Sequence, residues 1–77
     1  MKDKKYYIHL FDYENGTAIF ESDFFNTEKE ALDFAKYCNF KVTQDINVEL
    51  MDAHFFNGEY EYGEFNRSLE PFEYGRI

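Results

Sequence analysis

Asn26-Thr27-Glu28-Lys29-Glu30-Ala31-Leu32-Asp33-Phe34-Ala35-Lys36-Tyr37-Cys38-Asn39 is the stretch that decides the fold. Thr27 and Glu30 stand three apart, the spacing of a capping box, in which each side chain satisfies the other residue's backbone amide. Glu28 and Glu30 also suit the positive end of a helix dipole. No Gly or Pro interrupts the following residues, and Asn39 is a suitable stop, so the sequence predicts a helix over 28–38. Ala31, Phe34, Ala35 and Cys38 recur at i, i+3, i+4 and i+7 and share one face, with Leu32 beside it. Three of those four are small, which lets the helix lie close to a sheet. Phe34 supplies most of the buried area, at about 25 cal/mol per Å².

Strand-like segments flank this helix on both sides. Residues 6–13 and 17–21 are rich in aromatic and branched side chains, and Glu14-Asn15-Gly16 separates them. A two-residue Asn15-Gly16 loop would pair Leu10 with Glu21. A three-residue loop, with Gly16 left-handed, would pair Leu10 with Phe20, Ile8 with Ser22 and Tyr6 with Phe24. A one-residue slip exchanges the two faces completely. The three-residue loop segregates polar from apolar better, so Tyr6, Ile8, Leu10, Phe20 and Phe24 are expected to face the core.

After the helix, Ile46, Val48 and Leu50 alternate with Asn47, Glu49 and Met51, a half-buried strand that begins near Val42 or Asp45. Asn57-Gly58 marks a turn, and a fourth strand runs from Glu59 to about Asn66. The pattern conflicts with itself here. A two-residue loop pairs Leu50 with Phe65 but sets Ala53, Phe55, Tyr60 and Tyr62 on the opposite face. A bulge at Gly63, a bulge at Asp52-Ala53, or a longer loop over 51–58 would each reconcile the halves. From Arg67 onward, Leu69, Phe72, Tyr74 and Ile77 lie between charges, with Pro71 and Gly75 among them. Such a tail either packs across an edge or stays mobile. The expectation is one small α+β domain over 1–77, an antiparallel sheet in the element order β-β-α-β-β with a single helix packed on one face. Residues 1–4 and 67–77 are candidates for flexible ends, and strand order is left open.

Charge and composition restrict the function. The 77 residues carry sixteen Asp and Glu against eight Lys and Arg, a net charge of −8. Acidity alone would favour disorder. Ten Phe and seven Tyr allow the chain to fold and still present a negative surface. A domain of this size buries only roughly 60–65% of its unfolded surface, so the core is thin. Cys38 is the sole cysteine, which excludes an intrachain disulfide and the usual zinc sites built on two or four cysteines. It reads as a small buried apolar residue. The acids concentrate late. Residues 1–41 hold eight acids and six bases, whereas residues 42–77 hold eight acids and two bases. That sign opposes direct nucleic-acid binding and anionic membrane surfaces. No apolar run approaches the roughly 18–20 residues of a bilayer span. The apolar stretch after the first lysines meets Asp12 too soon for a signal peptide. With an unpaired thiol, a cytoplasmic location is expected. A basic protein surface is the partner that this charge attracts, most strongly at low salt.

Candidate chemical residues reduce to simpler readings. Asp12-Tyr13-Glu14-Asn15-Gly16 lacks the spacing of a calcium loop and reads as a turn. His9 is expected opposite Glu21 across the first hairpin. His54, near Asp52, Glu59 and Glu61, reads as a solvated loop histidine, and no metal or cofactor is expected. With so many carboxylates, paired acids carry no signal. No phosphate loop or nucleophile motif occurs, so a non-enzyme is expected.

Two surfaces are more informative. The sheet face away from the helix would carry Tyr7, His9, Phe11, Tyr13, Ile19, Glu21, Asp23, Glu49 and Met51, with no layer over it. The tail, a second copy or a foreign partner are the three ways to cover such a face. In Glu59-Tyr60-Glu61-Tyr62-Gly63-Glu64, Glu59 and Glu61 share one strand face at roughly 6.5–7 Å. Glu64 joins them only if a bulge intervenes at Gly63. Phosphates along one DNA strand repeat at roughly twice the 3.4 Å rise, so a row of carboxylates fits a phosphate groove lined by Lys and Arg. Charge that keeps an edge strand soluble is the simpler reading of the same row.

The expected function is that of a small acidic binding protein, an inhibitor that occupies a basic nucleic-acid-binding surface of a larger protein. Asp45, Glu49, Glu59, Glu61 and Glu64 would make the electrostatic contacts, with Tyr60, Tyr62 and Phe11 as anchors. The alternative is a structural or homodimeric domain whose acidity serves solubility. In size and charge alone, the chain resembles the general type of phage and mobile-element inhibitors, such as anti-CRISPR and anti-restriction proteins, and acidic immunity proteins. That likeness implies a protein partner and assigns no residue.

Overall fold

Thr27 caps the helix as its sequence predicts. In the computed structural model, which describes residues 4–75, its hydroxyl accepts from the Glu30 amide at 3.1 Å. The Glu30 carboxylate accepts from the Thr27 amide at 3.3 Å. Helix α1 spans Glu28–Cys38, and Asn39 closes it in the left-handed conformation. Four strands surround it in sequence: β1 (Lys4–Asp12), β2 (Thr17–Glu21), β3 (Ile46–Phe56) and β4 (Glu59–Ser68). They form one antiparallel sheet in the order β2-β1-β3-β4, with β2 and β4 at the edges. The fold is α+β, as expected.

The main core lies between the sheet and α1. Ile8, Leu10, Val48 and Leu50 from the two central strands meet Ala31 and Ala35, all buried. The two alanines let the helix approach closely, while Phe34 stacks beside Phe20 and Phe25. Cys38 is half-buried, and burial pushes its thiol above the ordinary value. The tail packs on this same side. The Leu69 amide donates to the Val48 carbonyl at 2.8 Å, a 3-10 turn follows over Pro71–Tyr74, and Leu69 and Tyr74 are buried against the core. Arg67 clamps Glu73 through two bonds of 3.0 and 2.9 Å, and holds that carboxyl below its usual range. Of the alternatives for the tail, residues 67–75 pack against the core. Lys4 already belongs to β1. The remaining terminal residues, 1–3 and 76–77, lie outside the described ones.

The first hairpin departs from both expected turns. Its loop is the four residues 13–16, because Asp12 gathers the Glu14 and Asn15 amides and the Asn15 side chain on one carboxylate. A bulge at Ile19 then restores the expected register, with Leu10 opposite Phe20 and His9 opposite Glu21. The register slips again at Ser22, whose hydroxyl accepts from the Ile8 amide at 2.8 Å and donates to the Asp23 carbonyl. Tyr6 consequently bridges Phe25 rather than Phe24. Phe25 turns toward the helix, and Phe24 turns to the opposite face, a reversal of its expected place.

The second hairpin resolves its conflict with a two-residue turn and two bulges. Asn57 and Gly58 both have positive φ, 56° and 90°, as a type I′ turn requires. Ala53 faces both Tyr62 and Gly63, and Gly63 takes φ 144°. A second irregularity at Asn66 puts Arg67 opposite Leu50 and Phe65 opposite Met51, so the expected Leu50–Phe65 pair does not form.

Candidate functional site

The Gly63 bulge governs what β4 presents to solvent. Glu59 lies opposite Phe56, Glu61 opposite His54 and Glu64 opposite Asp52. Directly opposed residues project to the same face, and Phe56, His54 and Asp52 alternate along β3. All three glutamates therefore form one exposed row on an edge strand, at a repeat of roughly 6.5–7 Å. Without the extra residue at Gly63, Glu64 would point the other way. The row continues the helix side of the sheet, near the tip of the second hairpin. His54 stands in β3 rather than in a loop, and its Nε2 lies 2.8 Å from the Glu64 carboxylate. Asp52, deeper in the same groove, accepts from Asn66 at 3.0 Å and pairs with Lys4 at 3.2 Å.

A substitution tests the bulge. An added Cβ at Gly63 meets no atom within 4 Å, so the penalty is in the backbone, which L residues rarely set at φ 144°. Gly63→Ala is expected to cost about 1–3 kcal/mol and to turn Glu64 away from His54. Chemical denaturation and the NMR shifts of the His54 ring read both effects, and a cost near zero would show that the bulge tolerates any residue.

The expected aromatic anchors lie on the opposite face. Tyr62 packs edge-on against Tyr7 at 4.6 Å between ring centres, and Phe24 lies 4.5 Å from Tyr62. Tyr60 sits against Phe55 and under the Lys5 ammonium. Tyr7, Met51 and Ala53, with Phe24 packed against them, make a second small core on the side that the sequence leaves bare. Tyr7 is only 1% exposed there. Burial pushes its phenol up to about 12, against the pull of a hydrogen bond from the Gly63 amide. Phe24 and Tyr62 cover the Tyr7 end of this face, while Tyr13 and Ile19 at its other end are exposed. Phe55 and Phe65 remain exposed at its rim.

The other proposed contacts are dispersed. Asp45 is exposed, but it precedes β3 and so lies well along that strand from Asp52, the position opposite the nearest glutamate of the row. Phe11 is half-buried between His9 and Tyr13, at ring distances of 5.9 and 4.7 Å. Glu49 is 3% exposed, so it is an interior group and not an electrostatic contact. Its carboxylate lies 3.1 Å from His9 Nδ1 and accepts from the Tyr13 hydroxyl at 2.7 Å and from Asn47 at 2.9 Å. Donation to Glu49 raises the Tyr13 phenol above its ordinary value. Asn47 also bonds Ser68 at 2.7 Å, which extends the network across to β4. His9 does sit opposite Glu21, yet its partner is on the other neighbouring strand. The alternation of Asn47 and Glu49 with apolar residues gave no hint of this, because the network needs the β1–β3 pairing.

The chain matches no protein-family model, no curated protein and no solved structure. No helix among the described residues is long and apolar enough to cross a membrane.

Proposed function

We propose that this protein is a small acidic binding protein that inserts edge strand β4 into a basic, nucleic-acid-binding groove of a larger protein. The observation that carries the reading is the exposed row of Glu59, Glu61 and Glu64, aligned by the Gly63 bulge on one face of an edge strand. Its repeat of roughly 6.5–7 Å is close to the spacing of successive phosphates on one DNA strand. An edge strand is reached from both faces, so the groove wall beyond the glutamates would meet Tyr62 and Phe65, which are 48% and 56% exposed. Aromatic side chains of this kind supply the central, desolvated part of an interface, and the acids supply steering. The expected contact set therefore narrows to Glu59, Glu61, Glu64, Tyr60 and Tyr62, and Phe65 joins it. Glu49 drops out because it is committed inside, and Asp45 and Phe11 because of where they lie. The rival reading, a homodimer built on the sheet face away from the helix, rests on Ile19 and Tyr13, which are exposed there, whereas the Tyr7 end of that face is covered by Phe24.

Capture from an extract of the native host tests this directly. Immobilised wild-type protein is expected to retain a basic nucleic-acid-binding protein at low salt and to release it as salt rises. Duplex DNA should compete for the captured protein. Glu59→Lys/Glu61→Lys/Glu64→Lys should lower capture by at least about a hundredfold, since close charge pairs each contribute on the order of 1.5 kcal/mol or more. Equal capture by the triple variant, or no competition by DNA, would remove the reading.

A further inference from the structure

We propose that Asp52, His54 and Glu64 form a site for one divalent transition-metal ion, of the zinc and cobalt class, between β3 and β4. One ligand atom from each residue lies within 4.8 Å of the other two. Metal bonds of about 2.0–2.2 Å place neighbouring ligand atoms roughly 3.3–3.6 Å apart, so the three need to close by only about 1 Å. Two of the three side chains, His54 and Glu64, are exposed and free to make that movement.

The backbone brings these groups together. Asp52 and His54 alternate on β3, and the Gly63 bulge turns Glu64 onto the same side, opposite Asp52. Bulges commonly serve to re-aim one side chain in this way. Glu61, opposite His54, lines the same groove of about 340 Å³, where its carboxylate would be a fourth ligand with space left for water. Asp52 is only 8% exposed, and the Asn66 amide fixes its orientation as a ligating carboxylate requires. The Lys4 ammonium already lies against Asp52 at 3.2 Å, so the position attracts a cation. Lys4 is partly exposed and can swing away when a divalent ion enters. One imidazole nitrogen with two or three carboxylate oxygens suits zinc, cobalt or manganese, whereas calcium and magnesium prefer oxygen alone. A bound ion would pin the second hairpin in a small fold that has no disulfide. The site stands on its own geometry and does not depend on whether β4 engages a partner.

The test uses the full chain, stripped with a chelator and desalted, then titrated at neutral pH with zinc chloride by calorimetry and with cobalt chloride by visible absorption. Saturation at one equivalent, with dissociation constants in the micromolar range, is expected. His54→Ala and Glu64→Gln should each weaken binding at least about tenfold. Glu14→Gln, in the exposed first turn, should leave it unchanged. Circular dichroism confirms that each variant is folded. Absence of saturation up to about 1 mM ion, or equal affinity in His54→Ala, would overturn the assignment.

Discussion

Tyr7→Ala is expected to destabilise the protein by about 3–5 kcal/mol, the usual cost of removing a buried aromatic ring. Tyr7 is 1% exposed, although it lies on the sheet face without a helix. Its ring is boxed by Phe24 at 5.8 Å and Tyr62 at 4.6 Å, both edge-on, above Met51 and Ala53. Truncation would leave a cavity that those two rings cannot collapse into, since Phe24 is fixed by the Tyr6–Phe25 bridge beside it. A domain of this length has a total stability of about 4–12 kcal/mol, so the loss takes a large share of it. Tyr7→Phe keeps the ring and separates packing from ionisation. The folded state holds the phenolic proton more tightly, with a pKa of about 12 against an ordinary 10.0. The corresponding stability is intact below pH 10 and is lost as pH rises from there toward 12. Its size is on the order of 2–3 kcal/mol. Urea denaturation at neutral pH and in that alkaline window should show wild type falling relative to Tyr7→Phe. Parallel curves for the two proteins, or a cost below about 1 kcal/mol for Tyr7→Ala, would mean that the second core is not packed as described.

That second core marks the boundary of what the sequence discloses. Helix α1 is legible to the residue because its signals are local: Thr27 and Glu30 meet within one turn, and Asn39 ends it. The Asn57-Gly58 turn is legible for the same reason, since both positions need positive φ. The first hairpin is legible only in its middle. Asp12 and Ser22 each capture backbone amides with a short side chain, and nothing in the alternation of apolar residues announces that competition with the ladder. The result is the four-residue loop and the exchange of Phe24 for Phe25. Gly63 could be recognised as one of three remedies for the second hairpin, but choosing it required the pairing of Ala53 with Tyr62. One end of a face that looks bare in the sequence is covered because Tyr62 reaches across Ala53 to Tyr7, a contact between strands that are not adjacent.

The candidate site divides along the same line. Glu59, Glu61 and Glu64 could be foreseen as a row conditional on the bulge, because their spacing is local. Their separation from Tyr60 and Tyr62 follows from strand alternation as well. His54 looks like a loop residue in the sequence because its partners, Asp52 two positions before it and Glu64 across the turn, converge only through a bulged pairing. Glu49 lies on the expected face, but its burial is hidden from the sequence for a different reason. An acid at an alternating position reads as solvent-facing, and only the position of β3 beside β1 brings His9 and Tyr13 to it.

Glu49→Ala should therefore cost about 3–5 kcal/mol, far more than an exposed glutamate would. The carboxylate sits at the centre of the β1–β3 pairing and serves three donors from His9, Tyr13 and Asn47. Deleting it leaves a buried imidazole N–H without an acceptor, and each such orphaned group costs about 1–3 kcal/mol. Asn47 retains Ser68, and the Tyr13 hydroxyl can turn to water because its residue is exposed, so the imidazole bears most of the loss. Glu49→Gln keeps the shape but can offer an acceptor to only one side of the network. Its amide nitrogen then faces a donor, and a smaller cost of about 1–3 kcal/mol is expected. Tyr13→Phe removes a single, partly solvated bond and should cost about 1 kcal/mol or less. In the double variant with Glu49→Gln, the two losses should fall short of adding, because both act on the one Glu49 carboxylate. Urea denaturation of the four variants against wild type measures this directly. Strict additivity, or a cost for Glu49→Ala below about 1 kcal/mol, would place Glu49 in solvent and return it to the set of partner contacts.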